Sequence, residues 1–139
     1  MATLHVQIIT PEKIIYNDDV DMIVIPGSEG DLGILPHHVP LFTQVRPGEL
    51  KVKKGNVEFY MAITGGFADI TGQEVTILAD YAVRAEEIEE KRVEEAMKRA
   101  EEAMREKKSE TDFALAEADL RRALLELKVA SRRKSKKNV

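Results

Sequence analysis

Residues 63–80 have the sequence ITGGFADITGQEVTILAD, in which two runs of alternating apolar residues flank a short turn. The runs cover residues 66–71 and 74–79, and Thr71-Gly72-Gln73 supplies turn residues between them. A period of two sends successive side chains to opposite faces of a strand. The stretch therefore predicts two neighbouring β-strands, each with one buried face.

The same pattern extends back to the first residues of the chain. Turn residues such as Pro47-Gly48 and Lys54-Gly55-Asn56 punctuate short apolar runs, and no helical pattern intervenes before residue 84. This regular spacing of turn residues between short apolar runs is typical of an antiparallel β-sandwich or barrel. The predicted strands cover residues 4–10, 14–16, 20–26, 33–35, 41–45, 49–53, 56–63, 66–71 and 74–79.

The composition changes between Val83 and Glu87. All 8 glycines and all 5 prolines lie before residue 82, whereas Glu, Lys, Arg, Ala and Leu dominate afterwards. We therefore predict an α+β fold, in which a β-sandwich in residues 1–84 is followed by a helical domain in residues 85–139.

The helical domain is predicted to be an antiparallel hairpin. Apolar residues recur at steps of three and four over residues 88–104 and again over 113–130, as in amphipathic helices. Between them, Ser109 and Asp112 match the pattern that caps the start of a helix. The apolar stripes are rich in alanine, so their seam buries little area and is expected to be weak.

The composition argues against several classes of protein. The 21 basic residues face 25 acidic ones, a net charge of -4, so generic affinity for nucleic acid is not expected. There is no cysteine, which excludes disulfides and thiolate metal sites. His37 and His38 are adjacent, so in an extended segment their rings point apart and no metal site is expected.

We expect neither catalytic residues nor membrane insertion. The chain has no Gly-x-Ser-x-Gly or His-Glu-x-x-His motif, and the glycines at 27, 30 and 33 lack the Lys-Ser/Thr of a phosphate-binding loop. The longest uncharged stretch, residues 32–45, is too short to span a bilayer, and the N-terminus lacks the pattern of a secretory signal. A cytoplasmic placement is the expectation.

Three features together carry a resemblance to a known family. They are GSEGDLGILPHHVPLF at residues 27–42, ITGGFADITGQEVTILAD at residues 63–80, and the pair of charged helices that follows. Over nearly its whole length the chain resembles the epsilon subunit of bacterial F-type ATP synthases. One departure is His37, where the family often has glycine.

The resemblance implies a ten-stranded sandwich on the central rotor stalk. It implies contacts with the gamma subunit, with the membrane rotor ring and, through the C-terminal helices, with the catalytic alpha and beta subunits. It also implies a non-catalytic role in coupling, inhibition of ATP hydrolysis by those helices, and a peripheral position on the cytoplasmic side of the cell membrane. The alternative from another class is an adaptor or nucleic-acid-binding module that uses a basic C-terminal helix.

The sandwich contains the first set of candidate partner-binding residues. Glu29 and Asp31 are acids in the glycine loop, and the resemblance places Asp31 where epsilon subunits meet the polar loops of the ring. His38 belongs to the same predicted surface. A solvated turn is the alternative interpretation.

The C-terminal helix contains the second set. From residue 121 to residue 139 there are eight basic residues and a single acid, Glu126. A helix with this positive charge can dock on an acidic protein surface. For the last residues of the chain, a solvated tail is the simpler interpretation. This basic stretch has no aromatic residue, which disfavours base stacking. The docking residues predicted here are Arg121, Arg122, Lys128, Arg132 and Arg133.

A nucleotide site is implied by resemblance and opposed by particular residues. Some epsilon subunits bind ATP through Ile/Leu-Asp-x-x-Arg-Ala, and this chain has Ile88-Glu89-Glu90-Lys91-Arg92-Val93. Arg99 and Arg122 match supporting positions, but Glu126 stands where an arginine is expected, and Val83 replaces a polar residue. We therefore expect weak ATP binding or none, and no required cofactor. In the alternative interpretation, Glu89 and Arg92 are solvated helix-face residues.

Overall fold

The computed structural model describes residues 2–106 and 109–137, with side chains described up to Arg132. The chain divides into two compact units, Met1–Arg84 and Ala85–Val139. No helix in these described ranges is long and apolar enough to cross a membrane.

The first unit is built from ten strands within the described residues. Their bounds are β1 Leu4–Ile9, β2 Ile14–Val20, β3 Met22–Gly27, β4 Gly30–Ile34, β5 Leu41–Val45, β6 Gly48–Lys54, β7 Val57–Ile63, β8 Gly66–Ile70, β9 Glu74–Ala79 and β10 Ala82–Arg84. The prediction of a sandwich of about ten strands is confirmed. Strand β10 was not predicted, because three residues are too few to show an alternating pattern.

The sheet is mixed rather than antiparallel, which corrects the prediction. Its strands follow the order β10-β7-β6-β3-β5-β8-β9-β1-β2, and β4 pairs with β3 outside this path. β1 and β9 run parallel, with His5 opposite Glu74 and Ile9 opposite Leu78. A parallel pair needs a long connection between its strands, and the chain between β1 and β9 provides one. The local pattern of either strand carries no information about this pairing.

Strand alternation builds the core of the sandwich. In β1, Leu4, Val6 and Ile8 are fully buried, and in β9 the buried residues are Val75, Ile77 and Ala79. Ile23, Ile25, Leu50, Val52, Met61 and Ile63 complete much of the same cluster. Because these side chains come from both ends of the unit's sequence, the sandwich encloses a core of its own.

Contacts from β10 and from the β6–β7 turn region reach β2, the other end strand of the sheet, and the residue after it. The guanidinium carbon of Arg84 in β10 lies 5.4 Å from the centre of the Tyr16 ring in β2, a cation–π contact. Lys54 pairs with Asp18 of β2, and the Gly55 amide donates to the Asp21 carboxylate at 2.7 Å. The curled sheet is therefore closed by polar contacts where its backbone ladder ends.

The second unit is a helical hairpin, as predicted. A 3-10 turn at Ala85–Glu87 precedes α1, Glu90–Glu106, and α2 covers Glu110–Lys137. The two helices pack on each other. Alanines at positions 100, 116, 123 and 130 are buried, together with Val93 and Val129. Small side chains allow close approach but bury little apolar area, so the seam is thin.

The start of α2 is capped as the sequence indicates. The Asp112 amide donates to the Ser109 hydroxyl oxygen at 3.0 Å, and the Phe113 amide donates to the Ser109 carbonyl at 3.0 Å. The first bond satisfies an amide that would lack a partner in the first turn of the helix, and the second is the first regular backbone bond of α2.

Candidate docking surfaces

The two candidate acids of the sandwich lie at the end of a β-hairpin. Strands β3 and β4 pair with Gly27 opposite Gly30 and Pro26 opposite Asp31, so Ser28 and Glu29 form a two-residue loop. Gly30 has a φ of 133°, which favours glycine. Glu29 and Asp31 are both exposed. Since a strand follows these glycines, the loop is a structural turn and lacks the helix start that binds phosphate.

We name the end of this hairpin the acidic tip, meaning residues 28–31. Strand β4 has β3 as its pairing partner and lies off the main path of the sheet. The tip therefore carries two exposed carboxylates on a segment that is supported along one side. Such a tip can accept hydrogen bonds or attract a cationic or polar partner surface.

His37 adopts the backbone conformation that its position demands. Its φ is 68°, and its amide donates to the Gly72 carbonyl at 2.6 Å. The left-handed turn therefore persists with histidine in place of the family's frequent glycine. Next to it, His38 Nδ1 lies 2.7 Å from the Val39 carbonyl, so Nδ1 carries the proton and donates. In the described part of the chain, no group of three potential ligand side chains could hold a metal ion.

An exposed apolar patch is the surface that the sequence analysis missed. The rings of Phe42 and Phe67 stack with centroids 5.7 Å apart and planes at 14°. Phe67 lies directly opposite Leu78 across β8 and β9. These three side chains are 67%, 48% and 55% exposed, and we call them the phenylalanine patch. Contiguous exposed apolar groups of this kind mark interaction surfaces.

A signal for this patch was present in the sequence. Leu41 and Phe42 are adjacent apolar residues in one strand. Because alternation sends neighbouring side chains to opposite faces, one of the two must point away from the core. Phe67 precedes Ala68 and Ile70, which are buried, so it points outward. Alternation alone does not show that Phe42 and Phe67 meet, because this depends on the pairing of β5 with β8.

The basic residues of α2 are less available than the sequence suggested. Arg121 donates to Glu117 one turn earlier at 3.0 Å. Arg122 and Lys128 are exposed, whereas Arg132 is half-buried. The side chain of Arg133 lies outside the described residues. Glu126 is the single acid among these basic residues. It is 9% exposed and therefore packs within the hairpin.

The candidate nucleotide residues divide into buried and exposed sets. Ile88 and Val93 are 4% and 8% exposed, so both act as packing residues in this conformation. Glu89, Arg92 and Arg99 are exposed, and the Val93 amide donates to the Glu89 carbonyl at 3.1 Å. Val93 and Glu126 therefore both lie within the packed hairpin, whereas the exposed candidates lie on its surface.

Two known domain families match the chain, and the boundary between their matches lies close to the boundary between the two compact units. Residues 3–85 match the family described as ATP synthase, Delta/Epsilon chain, beta-sandwich domain. Residues 86–131 match the corresponding long alpha-helix domain.

Curated relatives match almost end to end. The chain is 47% identical to the ATP synthase epsilon chain of Chloroflexus aggregans over 134 residues, which cover 96% of each chain. It is 46% identical to that of Herpetosiphon aurantiacus, over 96% of this chain and 98% of the relative.

Solved structures have the same fold. A chain in the Euglena gracilis mitochondrial ATP synthase OSCP/F1/c-ring assembly gives a TM-score of 0.73 at 27% identity, covering 86% of this chain and 76% of that one. A chain of the Tetrahymena thermophila central stalk and c-ring gives 0.57 at 18% identity, covering 91% and 96%, and shows likeness of fold.

Proposed function

The chain belongs to the delta/epsilon-chain family of ATP synthases, and we propose that it works as a rotor subunit that couples the central stalk to the membrane ring and restrains ATP hydrolysis. The family is one of non-catalytic subunits. The single observation that carries the coupling role is the phenylalanine patch, since a sandwich with a closed core has no internal need for exposed stacked rings.

The sandwich is the anchoring unit in this proposal. The phenylalanine patch binds an apolar surface of the gamma subunit, and the acidic tip meets polar loops of the ring. The chain is then held peripherally on the cytoplasmic side of the cell membrane through these protein contacts. The positions of the two surfaces support this division, because the tip is carried by strands β3 and β4 and the patch by strands β5, β8 and β9.

The hairpin is the restraining unit. Its seam of small buried side chains stores little packing energy, so a partner can separate the helices at modest cost. The exposed cations of α2 then dock on acidic surfaces of the catalytic alpha and beta subunits. In this role the hairpin requires no cofactor, and nucleic acid is not a partner.

Hydrolysis by the catalytic head tests the proposal. We would compare the head with the full chain, with residues 1–84 only, and without this subunit. We expect residues 1–84 to assemble and to leave hydrolysis uninhibited. Equal inhibition by the full chain and by residues 1–84 would contradict the proposal.

A charge variant tests whether the cations cause the inhibition. We expect alanine at the five predicted docking positions to raise hydrolysis roughly threefold to tenfold, because exposed ion pairs contribute a few tenths of a kcal/mol each. The matched control removes the same number of cations from α1, at Lys91, Arg92, Lys98, Arg99 and Arg105. An equal rise in both variants would indicate lost stability of the hairpin instead of lost docking.

A further inference from the structure

We infer that Arg46 is a positioning residue for the acidic tip, and that it acts through a hydrogen bond to the turn of the β3–β4 hairpin. Arg46 immediately follows β5 and contacts the end of β3 twice. Its amide donates to the Pro26 carbonyl at 2.8 Å, and its side-chain Nε donates to the Gly27 carbonyl. The inference rests on the proposed function, in which the tip binds the ring.

The two carbonyls that Arg46 contacts belong to the residues that set the tip's register. Gly27 faces Gly30 across the hairpin, and Pro26 faces Asp31. Arg46 therefore restrains the two residues opposite the start of β4. Any movement of Gly27 relative to β5 carries Glu29 and Asp31 with it.

This restraint matters because the hairpin has few strand partners near its turn. The ladder between β3 and β6 covers Met22 to Val24 and does not reach the tip. β3 meets β5 in register at one pair, Gly27 with Val45. The core side chains of β3 and β4 anchor the body of the hairpin, so contacts near its turn determine how well the exposed tip is ordered.

Packing around Pro26 and Gly27 supports the same conclusion. Both residues are buried. A Cβ on Gly48 would lie 3.0 Å from the Pro26 Cβ, and a Cβ on Gly27 would lie 2.9 Å from the Gly30 carbonyl oxygen. Residues 46–48 therefore pack against Pro26 and Gly27 at the base of the acidic tip. Arg46 makes the hydrogen bonds of this contact.

Three substitutions separate the hydrogen bond from the charge. Arg46→Ala removes both. Arg46→Lys keeps the charge but places a methylene where Nε donates, with the ammonium one atom further out. Arg46→Gln loses the charge but keeps an N–H donor at the same distance along the side chain. Lys53→Ala is the matched control, because it removes an exposed cation from β6 of the same sandwich.

The first measurement is hydrogen exchange of residues 27–34 in the free full-length chain. We expect Arg46→Ala and Arg46→Lys to accelerate exchange roughly tenfold, while Arg46→Gln and Lys53→Ala stay near the unsubstituted chain. Protection of the β9 amides should be unchanged in all four variants. Slow exchange in Arg46→Lys together with fast exchange in Arg46→Gln would overturn the inference, because charge would then be the cause.

The second measurement is ATP-driven ion pumping by the assembled synthase, with Asp31→Ala as the reference. We expect pumping to fall in Arg46→Ala and Arg46→Lys and to be rescued in Arg46→Gln. Loss of pumping in Asp31→Ala but not in Arg46→Ala would overturn the inference and leave the ring contact standing. Unchanged pumping in Asp31→Ala would instead overturn the ring contact, while the exchange result would still decide whether Arg46 orders the tip.

Discussion

At Gly66 the backbone of β8 runs too close to β9 for any side chain. Its φ is 144°, and an added Cβ would lie 2.0 Å from the Leu78 carbonyl oxygen and 2.9 Å from the Ala79 Cα. These atoms belong to backbone and cannot rotate away. We expect Gly66→Ala to lower the free energy of unfolding by about 3 kcal/mol or more, measured by urea denaturation.

Gly72→Ala is the control for that substitution. A Cβ there would lie 4.0 Å from the His38 carbonyl oxygen, which is ordinary contact, and no unusual φ is required. We expect a change of less than about 1 kcal/mol. Similar losses in both variants would mean that the close approach of β8 and β9 is not the cause.

His5 provides a residue-scale prediction about pH. Its Nδ1 lies 2.7 Å from an Asp19 carboxylate oxygen, and this hydrogen bond raises the pKa of His5 above its usual 6.5, although burial opposes the rise. A raised pKa means that folding favours the protonated form, so the added stability is complete below pH 6.5 and disappears as pH rises through the folded-state pKa.

Thermal melts of the unsubstituted chain and of His5→Gln at several pH values test this. We expect the difference in midpoint between them to be largest near pH 6 and to shrink towards pH 9. A difference that does not change with pH would show that the ion pair adds no linked stability.

At the scale of one element, the cap of α2 is testable on its own. Ser109 accepts the Asp112 amide, and loss of such a cap costs about 1 kcal/mol. We expect Ser109→Ala to lower helix stability by that amount, with faster amide exchange in residues 110–113.

Ser131→Ala makes the same chemical change inside α2. The Ser131 hydroxyl donates to the Lys128 carbonyl at 2.6 Å, a bond that does not relieve an unpaired amide. We expect this control to be close to neutral. If both alanine variants lower stability equally, capping is not the reason.

For the whole molecule, we predict weak ATP binding or none, measured by calorimetric titration of the isolated chain. Glu126 is buried in the hairpin where the resemblance would have an arginine, and the buried Val93 is larger than the alanine that the resemblance would have. Micromolar binding that is lost in Arg92→Ala would contradict this prediction.

Charge reversal then identifies which obstacle dominates. We expect Glu126→Arg to increase ATP affinity if the carboxylate is the obstacle, because it replaces repulsion with attraction near phosphate. Asp119→Arg is the matched reversal at an exposed position of α2 and should have little effect. No gain from Glu126→Arg would indicate that the shape of the hairpin excludes the nucleotide.

The sequence by itself determined the features that depend on neighbours along the chain. The bounds of β5 and β9 match their predicted ranges, since alternation and turn residues act within a few positions. The cap at Ser109 follows from the same local logic. The composition change near Val83 also lies at the boundary between the two units along the chain, because glycine and proline disfavour helices while alanine, leucine and glutamate favour them.

Tertiary structure alone decided the features that join distant parts of the chain. The parallel pairing of β1 with β9, the stacking of Phe42 on Phe67, and the bond from Arg46 to Gly27 each link residues that are far apart along the chain. The burial of Glu126 likewise depends on how the two helices pack. No local pattern specifies such contacts, because they form only when the whole sheet or hairpin has closed and the cost of ordering the intervening chain has been met.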